Sequence, residues 1–445
     1  MSFKIDIKIL SSGEDDPQGI KMSAQTHVLT RLLREGQNNQ DDHLRAPPSS
    51  LAYWLTDNWW RLRWEPMNPE ESRQDSFNSE SRFEEKWRLA HDVSSNGGGI
   101  AWPRIKMWGE GERIGILAEP DPLGVIGPVR FLADCLVYVS ATEWEAEVDK
   151  FLYSIVDTQS GFGSDRSALS KAVAELNSER QDTEIATWRR MEARLGYDVD
   201  EVPDELIESF TKPIAIFGEE NIEEAIQASP GDQSADNLND CIEAANSSRL
   251  ICRFDVIQPE DRIGFEKKNE QVWELAEGSA AKIRQRAGSE FGPIRNNRLA
   301  ELLGIGVNAL KSVEKAPAEN LPYGIRLQEK SVLTDHKIAL RSRWSRQRRF
   351  ELSRALGDVI WAENTSLGPM ARTQTDRQRF QRSFAQSLLC PYDDLKDFVG
   401  NREITEDTVS QAAEHFHVSP LLIETTLVKK GDISASRFWS RIEAA

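Results

Sequence analysis

Between Lys337 and Arg354 the chain carries seven basic residues, Lys337, Arg341, Arg343, Arg346, Arg348, Arg349 and Arg354, against one acid, Glu351. Arg372, Arg377, Arg379 and Arg382 extend the run, in a protein whose formal net charge is −18. A local reversal of this size constrains folding, because every buried guanidinium needs acceptors and crowded like charges repel. Three readings stay open. The arginines pair with acids of the N-terminal half and tie the core to it. They receive the acidic surface of a protein partner. They hold the phosphates of a nucleic acid or nucleotide.

A length of 445 residues predicts two to three domains. Hydrophobic residues at 39% and charged residues at 29% fit a soluble globular chain. The acidic balance argues against a protein that coats DNA or an anionic membrane. No apolar run approaches the ~18 residues that span a bilayer, so no membrane partner is expected. The opening Met-Ser-Phe-Lys-Ile-Asp lacks an apolar signal region. Cys135, Cys241, Cys252 and Cys390 are scattered, with no Cys-x-x-Cys, as for thiols in a reducing cytoplasm.

Periodicity predicts an α+β fold, mostly helical with small β-sheets. Residues 3–10 alternate as a half-buried strand. Residues 11–48 are polar, with one short helical candidate at 25–34. In 51–64, Leu51, Trp54, Leu55, Asn58, Trp59 and Leu62 share one helical face, opened by Ser49 or Ser50 and ended by Pro66. The alternative for this Trp cluster is an aromatic platform for bases, interleaved with Arg61 and Arg63. Residues 65–85 read as a loop and 83–91 as a helix. Residues 100–108 and 113–118 form a hairpin across Gly109-Glu110-Gly111-Glu112, and 129–139 is a strand. Gly97-Gly98-Gly99 precedes no Gly-Lys-Ser/Thr, so it is a poor phosphate loop. Helices follow at 140–158, with a capping box Thr142-x-x-Glu145, at 164–179, at 182–195 closed by Gly196, and after Pro203. Residues 229–239 have linker composition, 250–257 a strand pattern. Helices are then predicted at 270–286, 298–303, 350–361, 377–389, 405–416 and 420–428, with a strand at 338–340. The implied domains are 1–140, Trp-rich α+β; 141–228, helical; 229–265, linker and connecting strand; and 266–445.

Five words in the last part stand in a telling order. They are Leu299-Ala300-Glu301-Leu302-Leu303-Gly304-Ile305, Arg348-Arg349-Phe350-Glu351-Leu352, Leu356-Gly357, Phe384-Ala385-Gln386-Ser387-Leu388-Leu389-Cys390-Pro391 and Phe416-His417-Val418-Ser419-Pro420. Over residues ~270–430 the chain resembles the ImmA/IrrE-like metallopeptidases, which implies a zincin-like domain with a C-terminal helical pair. In that family a His-Glu-x-x-His helix supplies two zinc ligands and a base, and a later helix supplies a third ligand. Here the corresponding positions hold Arg354, Ala355 and Asp358, with Gln378 near the third-ligand position. The resemblance therefore implies a degenerate centre with no catalytic residue and no zinc.

The candidates for relocated ligands are His336, Glu363, Asp376, His415 and His417, none at the helical spacing of a zinc pair, and a Cys390/His415 nucleophilic pair lacks motif support. The expected function is a catalytically degenerate ImmA/IrrE-like regulator that binds a protein partner, in a setting such as stress response, toxin–antitoxin pairing or phage defence, as the resemblance implies. The binding candidates are Arg341, Arg343, Arg346, Arg348, Arg349, Arg354, Arg377, Arg379 and Arg382. Two alternatives stand beside it. One is a metal-dependent endopeptidase with rearranged ligands that cleaves a repressor-like protein. The other is a nucleic-acid-binding regulator using the basic face at 337–382, although Glu406, Asp407, Glu414 and Glu424 on the C-terminal helical pair oppose major-groove reading.

Overall fold

The computed structural model describes residues 2–8, 19–36, 39–67, 82–122, 127–158, 164–263, 271–315, 320–328, 334–361 and 366–434. It is α+β, dominated by helices with several small antiparallel sheets. Among the described residues no helix is long and apolar enough to cross a membrane. The chain forms two compact units. One holds residues 1–207, 230–232 and 373–375, and the other 208–229, 233–372 and 376–445.

In the first unit, Phe3–Lys8 pairs antiparallel with Gly19–Ala24, Phe3 opposite Ala24. The alternation of Phe3 and Ile5 with Lys4 and Asp6 puts one face on the core, as the period of two predicts. The region read as a helical candidate at 25–34 instead holds the short strands His27–Val28 and Leu32–Arg34. The hairpin is present, as Arg104–Glu110 against Arg113–Glu119, with Cys135–Ser140 on the far edge of the latter. The segment 129–139 is two strands, Val129–Phe131 and Cys135–Ser140, in different sheets.

The Trp-rich segment breaks into two helices, Pro48–Asp57 and Trp59–Trp64, at Asn58. Its start is set by Pro48 in the first turn, without the serine cap that the sequence suggested. Leu51, Trp54, Leu55, Trp59, Trp60 and Leu62 are all buried, so this cluster is core and its rings are not a platform for bases. Arg61 and Arg63 are buried with it. Arg61 donates to Glu65 and to Asp198, and Arg63 to Glu145. Glu145, read as the far half of a capping box, is thereby committed to Arg63. Both ring nitrogens of His91 face acceptors, Met107 O at 2.5 Å and Glu65 Oε2 at 2.9 Å.

The predicted helix ends hold where a cap is chemically strong. Asp182 accepts from the N–H groups of Glu184 and Ile185, and Gly196 closes the same helix with φ +83°. Thr405 and Ser419 cap Glu406–Phe416 and Pro420–Lys430. The linker reading of 229–239 fails. Helix Ser234–Ser247 starts within it, and buries Ser234, Ala235, Leu238, Cys241 and Ala245.

The second unit is built on a four-stranded antiparallel sheet, in the order Ile251–Cys252, His336–Ala339, Gly324–Gln328, Leu367–Met370. Helix Ser234–Ser247 packs on its two middle strands, and helix Glu219–Ala228 packs on Leu367–Met370. Both therefore belong with this sheet, although the sequence reading assigned them to other segments. Beside the sheet, helices Val272–Arg286, Ser345–Trp361 and Asp376–Leu389 pack together around Ala276, Ala280, Ile283, Leu352, Ala355, Leu356, Phe380 and Phe384. Tyr392–Val399, Glu406–Phe416 and Pro420–Lys430 form a smaller cluster with Leu389 and Phe350.

Gly109 lies inside strand Arg104–Glu110, and its N–H donates to Glu65 O at the end of the Trp-rich helices. A Cβ there would run into the backbone carbonyl of Arg63. Gly109→Ala is therefore expected to cost about 1–3 kcal/mol by overpacking, read as a lowered urea midpoint. An unchanged midpoint would show that the strand and helix are not in this close contact.

Candidate functional site

The four positions singled out by the resemblance fall on two packed helices. Arg354, Ala355 and Asp358 project from Ser345–Trp361, and Gln378 from Asp376–Leu389. Positions four apart share one helical face, so Arg354 and Asp358 point the same way. The strands opposite, Gly324–Gln328 and Leu367–Met370, place Arg326 directly across from Gly368. That register shapes the site. Gly368 leaves open the space where the Asp358 carboxylate sits, and a Cβ there would overlap Oδ2.

Asp358 is fully buried and saturated. Its Oδ2 accepts from Arg326 Nε at 3.0 Å and Nη2 at 2.7 Å, and from Arg377 Nη2 at 3.0 Å. Its Oδ1 accepts from Arg377 Nε at 2.7 Å and Gln381 Nε2 at 2.7 Å. Burial alone would raise the carboxyl pKa, but the guanidinium groups of Arg377 and Arg326 outweigh it and hold Asp358 far below the usual range. Both arginines stay charged, as guanidinium does in proteins. Their remaining N–H groups are used too. Arg377 reaches Asn221 Oδ1 at 2.8 Å and Leu367 O at 2.9 Å. Arg326 Nη1 donates to Nδ1 of His336 at 3.1 Å, so that nitrogen carries no proton.

Arg354 continues the network. Its Nη2 donates to Gln378 Oε1 at 2.5 Å, Gln381 Oε1 at 3.1 Å and Ala371 O at 2.7 Å. Gln381 thus accepts from Arg354 and donates to Asp358. Gln378 bridges Pro369 O and the Ala371 N–H, fixing the backbone beyond the last strand. Burial pulls the Arg354 pKa down to about 10, and Glu351 and Asp358 oppose that, so it is a cation at neutral pH. Ala355 packs in the apolar core between these helices. Glu351 accepts from Ser342 Oγ at 2.5 Å, and burial pushes its carboxyl above the ordinary value.

As a ligand set for Zn²⁺ these residues do not fit. Arg354, Ala355 and Gln378 offer no anionic donor, and five donated N–H bonds occupy the oxygens of Asp358 between two cations. Among the described residues no group of three or more His, Cys, Asp or Glu side chains is arranged to hold a metal ion. The other ligand candidates go elsewhere. Asp376 pairs with Arg379 at 2.8 Å, and His415 stacks on Phe398 at 4.6 Å. His417 adopts a left-handed conformation at the end of its helix. Cys390 is buried, and burial pushes its thiol pKa up, the opposite of an activated nucleophile. Glu363 lies outside the described residues.

The nine binding candidates do not form one face. Arg348, Arg349, Arg354 and Arg377 are buried. Arg348 staples Ser342 O and Val313 O, and Arg349 binds Ile294 O and the Asn296 side chain. This corrects their reading as surface binding residues. The arginine content of Ser345–Trp361 is consumed in holding helix to loop and helix to sheet. Arg343 is exposed, and Arg341, Arg346, Arg379 and Arg382 are half-buried. The sequence reading missed Arg326, Gln381 and Asn221. Gln378 and Gln381, one turn apart on an otherwise apolar face, were the available signal for the second of these.

No protein-family model matches this chain, and neither does any curated protein or solved structure.

Asp358→Asn removes the anion that Arg326 and Arg377 share, and is expected to cost about 3–5 kcal/mol in urea unfolding. A loss under about 0.5 kcal/mol would mean that the charge pairing is dispensable. His336 supplies a pH signature. Burial and the Arg326 cation lower its pKa to about 3, against roughly 6.5 when unfolded. Its folded form stays neutral, so its contribution is complete above about pH 6.5. It declines toward pH 3 with a slope approaching about 1.4 kcal/mol per pH unit. His336→Asn should flatten the stability–pH curve in that window, measured as urea midpoints across a pH series.

Proposed function

We propose that this protein is a catalytically inactive relative of the ImmA/IrrE-like metallopeptidases that regulates by binding a protein partner. The observation that carries the reading is the convergence of Arg354, Asp358 and Gln378 in one buried network. Three separate sequence positions, chosen as counterparts of the ligands in that family, meet at one point between two helices and a sheet. What meets there is a hydrogen-bonded set of guanidinium, amide and carboxylate groups, chemistry that joins helices to a sheet and does not activate water. A chain of this kind acts through its surfaces. Arg379, which also pairs with Asp376, and Arg382, which also donates to Ala371 O, are half-buried on Asp376–Leu389 and are the cations on that helix for an acidic partner. A stress-response, toxin–antitoxin or phage-defence setting follows from the lineage.

Three measurements test the reading together. Elemental analysis of the purified protein is expected to find no stoichiometric zinc, and chelation to leave its melting temperature unchanged. Affinity purification from the native cell is expected to enrich one protein with the wild type and to lose it with Arg379→Glu/Arg382→Glu. Stoichiometric zinc, or chelator-sensitive cleavage of the enriched protein, would sink the proposal and favour a metallopeptidase. Equal enrichment by both forms would remove this surface as the partner site.

A further inference from the structure

We propose that a cleft at the start of helix Ser345–Trp361 binds a nucleotide unit, with the base against Trp344 and the phosphate on Arg341, Arg343 and Arg372. The inference is independent of the reading above. The cleft measures about 330 Å³, and Asn320, Ser342 and Gln347 complete its polar lining. That volume lies at the lower end for small-molecule sites, room for one nucleotide and too little for a helix or a folded domain.

Three features select this ligand class. Trp344 is 69% exposed, whereas Trp54, Trp59, Trp60, Trp87, Trp102, Trp108, Trp144 and Trp361 are buried. An indole left in water beside guanidinium groups is a ready stacking surface for a base. Among the described residues the lining holds three arginines and no carboxylate, a local reversal in an acidic protein. Such a concave cationic patch concentrates anions. The amides of Asn320 and Gln347 each offer a donor and an acceptor, which is what reading a base edge requires. The first-turn N–H groups of Ser345–Trp361 lie beside the cleft and add positive potential. An acidic peptide would use the cations alone. It has no flat π-face to match the indole, and a base does.

The shared chemistry, base plus phosphate, can come from a free nucleotide or from a single strand, and the two sources separate in the test. The full-length protein is titrated with adenosine 5′-monophosphate by calorimetry, and with fluorescein-labelled short oligothymidylate and oligodeoxyadenylate by anisotropy, over a salt series. Trp344→Leu is expected to weaken binding roughly tenfold by loss of stacking. Arg341→Ala/Arg343→Ala is expected to weaken it further and to reduce the log–log salt slope by about 1–2. Phe291→Leu, at another exposed aromatic, is expected to leave binding unchanged, and circular dichroism checks that every variant is folded. Binding of the monophosphate supports a free nucleotide, and binding of the oligonucleotides alone supports a strand. Absence of binding by all three probes at low salt overturns the proposal. So does unchanged affinity in Trp344→Leu, or equal, Trp344-independent binding of oligoglutamate.

Discussion

The second unit depends on one carboxylate. Asp358 stands fully buried between Arg326 on a strand and Arg377 on a helix, and itself belongs to a third element. Neither arginine could be buried without it, and it could not ionise there without them. The desolvation of three charged groups is a large cost, and their attraction offsets it only when the geometry is good and the remaining donors are satisfied. Here they are satisfied, by Gln381, Asn221, His336 and the Leu367 carbonyl. The arrangement therefore specifies register more than it adds stability. Sliding Leu367–Met370 by one residue would replace Gly368 with a side chain at the point that the carboxylate occupies, and also turn the strand over.

Excess positive charge in this core is balanced at longer range. Two arginines surround Asp358, and Arg354 adds a third cation within the same network. Glu224 acts on both Arg354 and Arg377, and Glu220 on Arg377. Both acids lie on Glu219–Ala228, the helix that packs on Leu367–Met370 and brings Asn221 to Arg377. So an acidic helix from the middle of the sequence partly answers the basic run near its end.

Helices with strong apolar periods and chemically marked ends were legible. Val272–Arg286, Thr183–Leu195 and Glu406–Phe416 lie close to their expected bounds, because 3.6-residue periodicity and side-chain caps are local properties. Short strands were not. Gly324–Gln328 and Leu367–Met370 are made by partners distant in sequence, and a strand reading Leu-Gly-Pro-Met carries little β signal of its own. Ser234–Ser247 was hidden because Ser, Asp and Asn read as loop, while its few apolar residues suffice once a sheet lies beneath them. For the candidate centre, the sequence marked Arg354, Asp358 and Gln378, and the three do share one network. The sequence did not show that Arg326 would come from a strand to complete the ion pairs, since nothing local marks that residue.

The arginines of Ser345–Trp361 illustrate why charge runs mislead when read as surfaces. Arg348, Arg349 and Arg354 bind carbonyl and amide oxygens, at Ser342, Val313, Ile294, Ala371 and Gln378. A backbone carbonyl exposes no charge in the sequence, so such an arginine looks unpaired until the loop that carries its acceptor is in place. Guanidinium suits this role because its planar fork reaches several oxygens at once and is weakly hydrated. The same residue type therefore does two jobs within twenty positions of chain. Inside the unit it ends loops and joins helices. Around Trp344, Arg341 and Arg343 line an open cleft. Burial, and not sequence density of charge, separates the structural arginines from those able to bind.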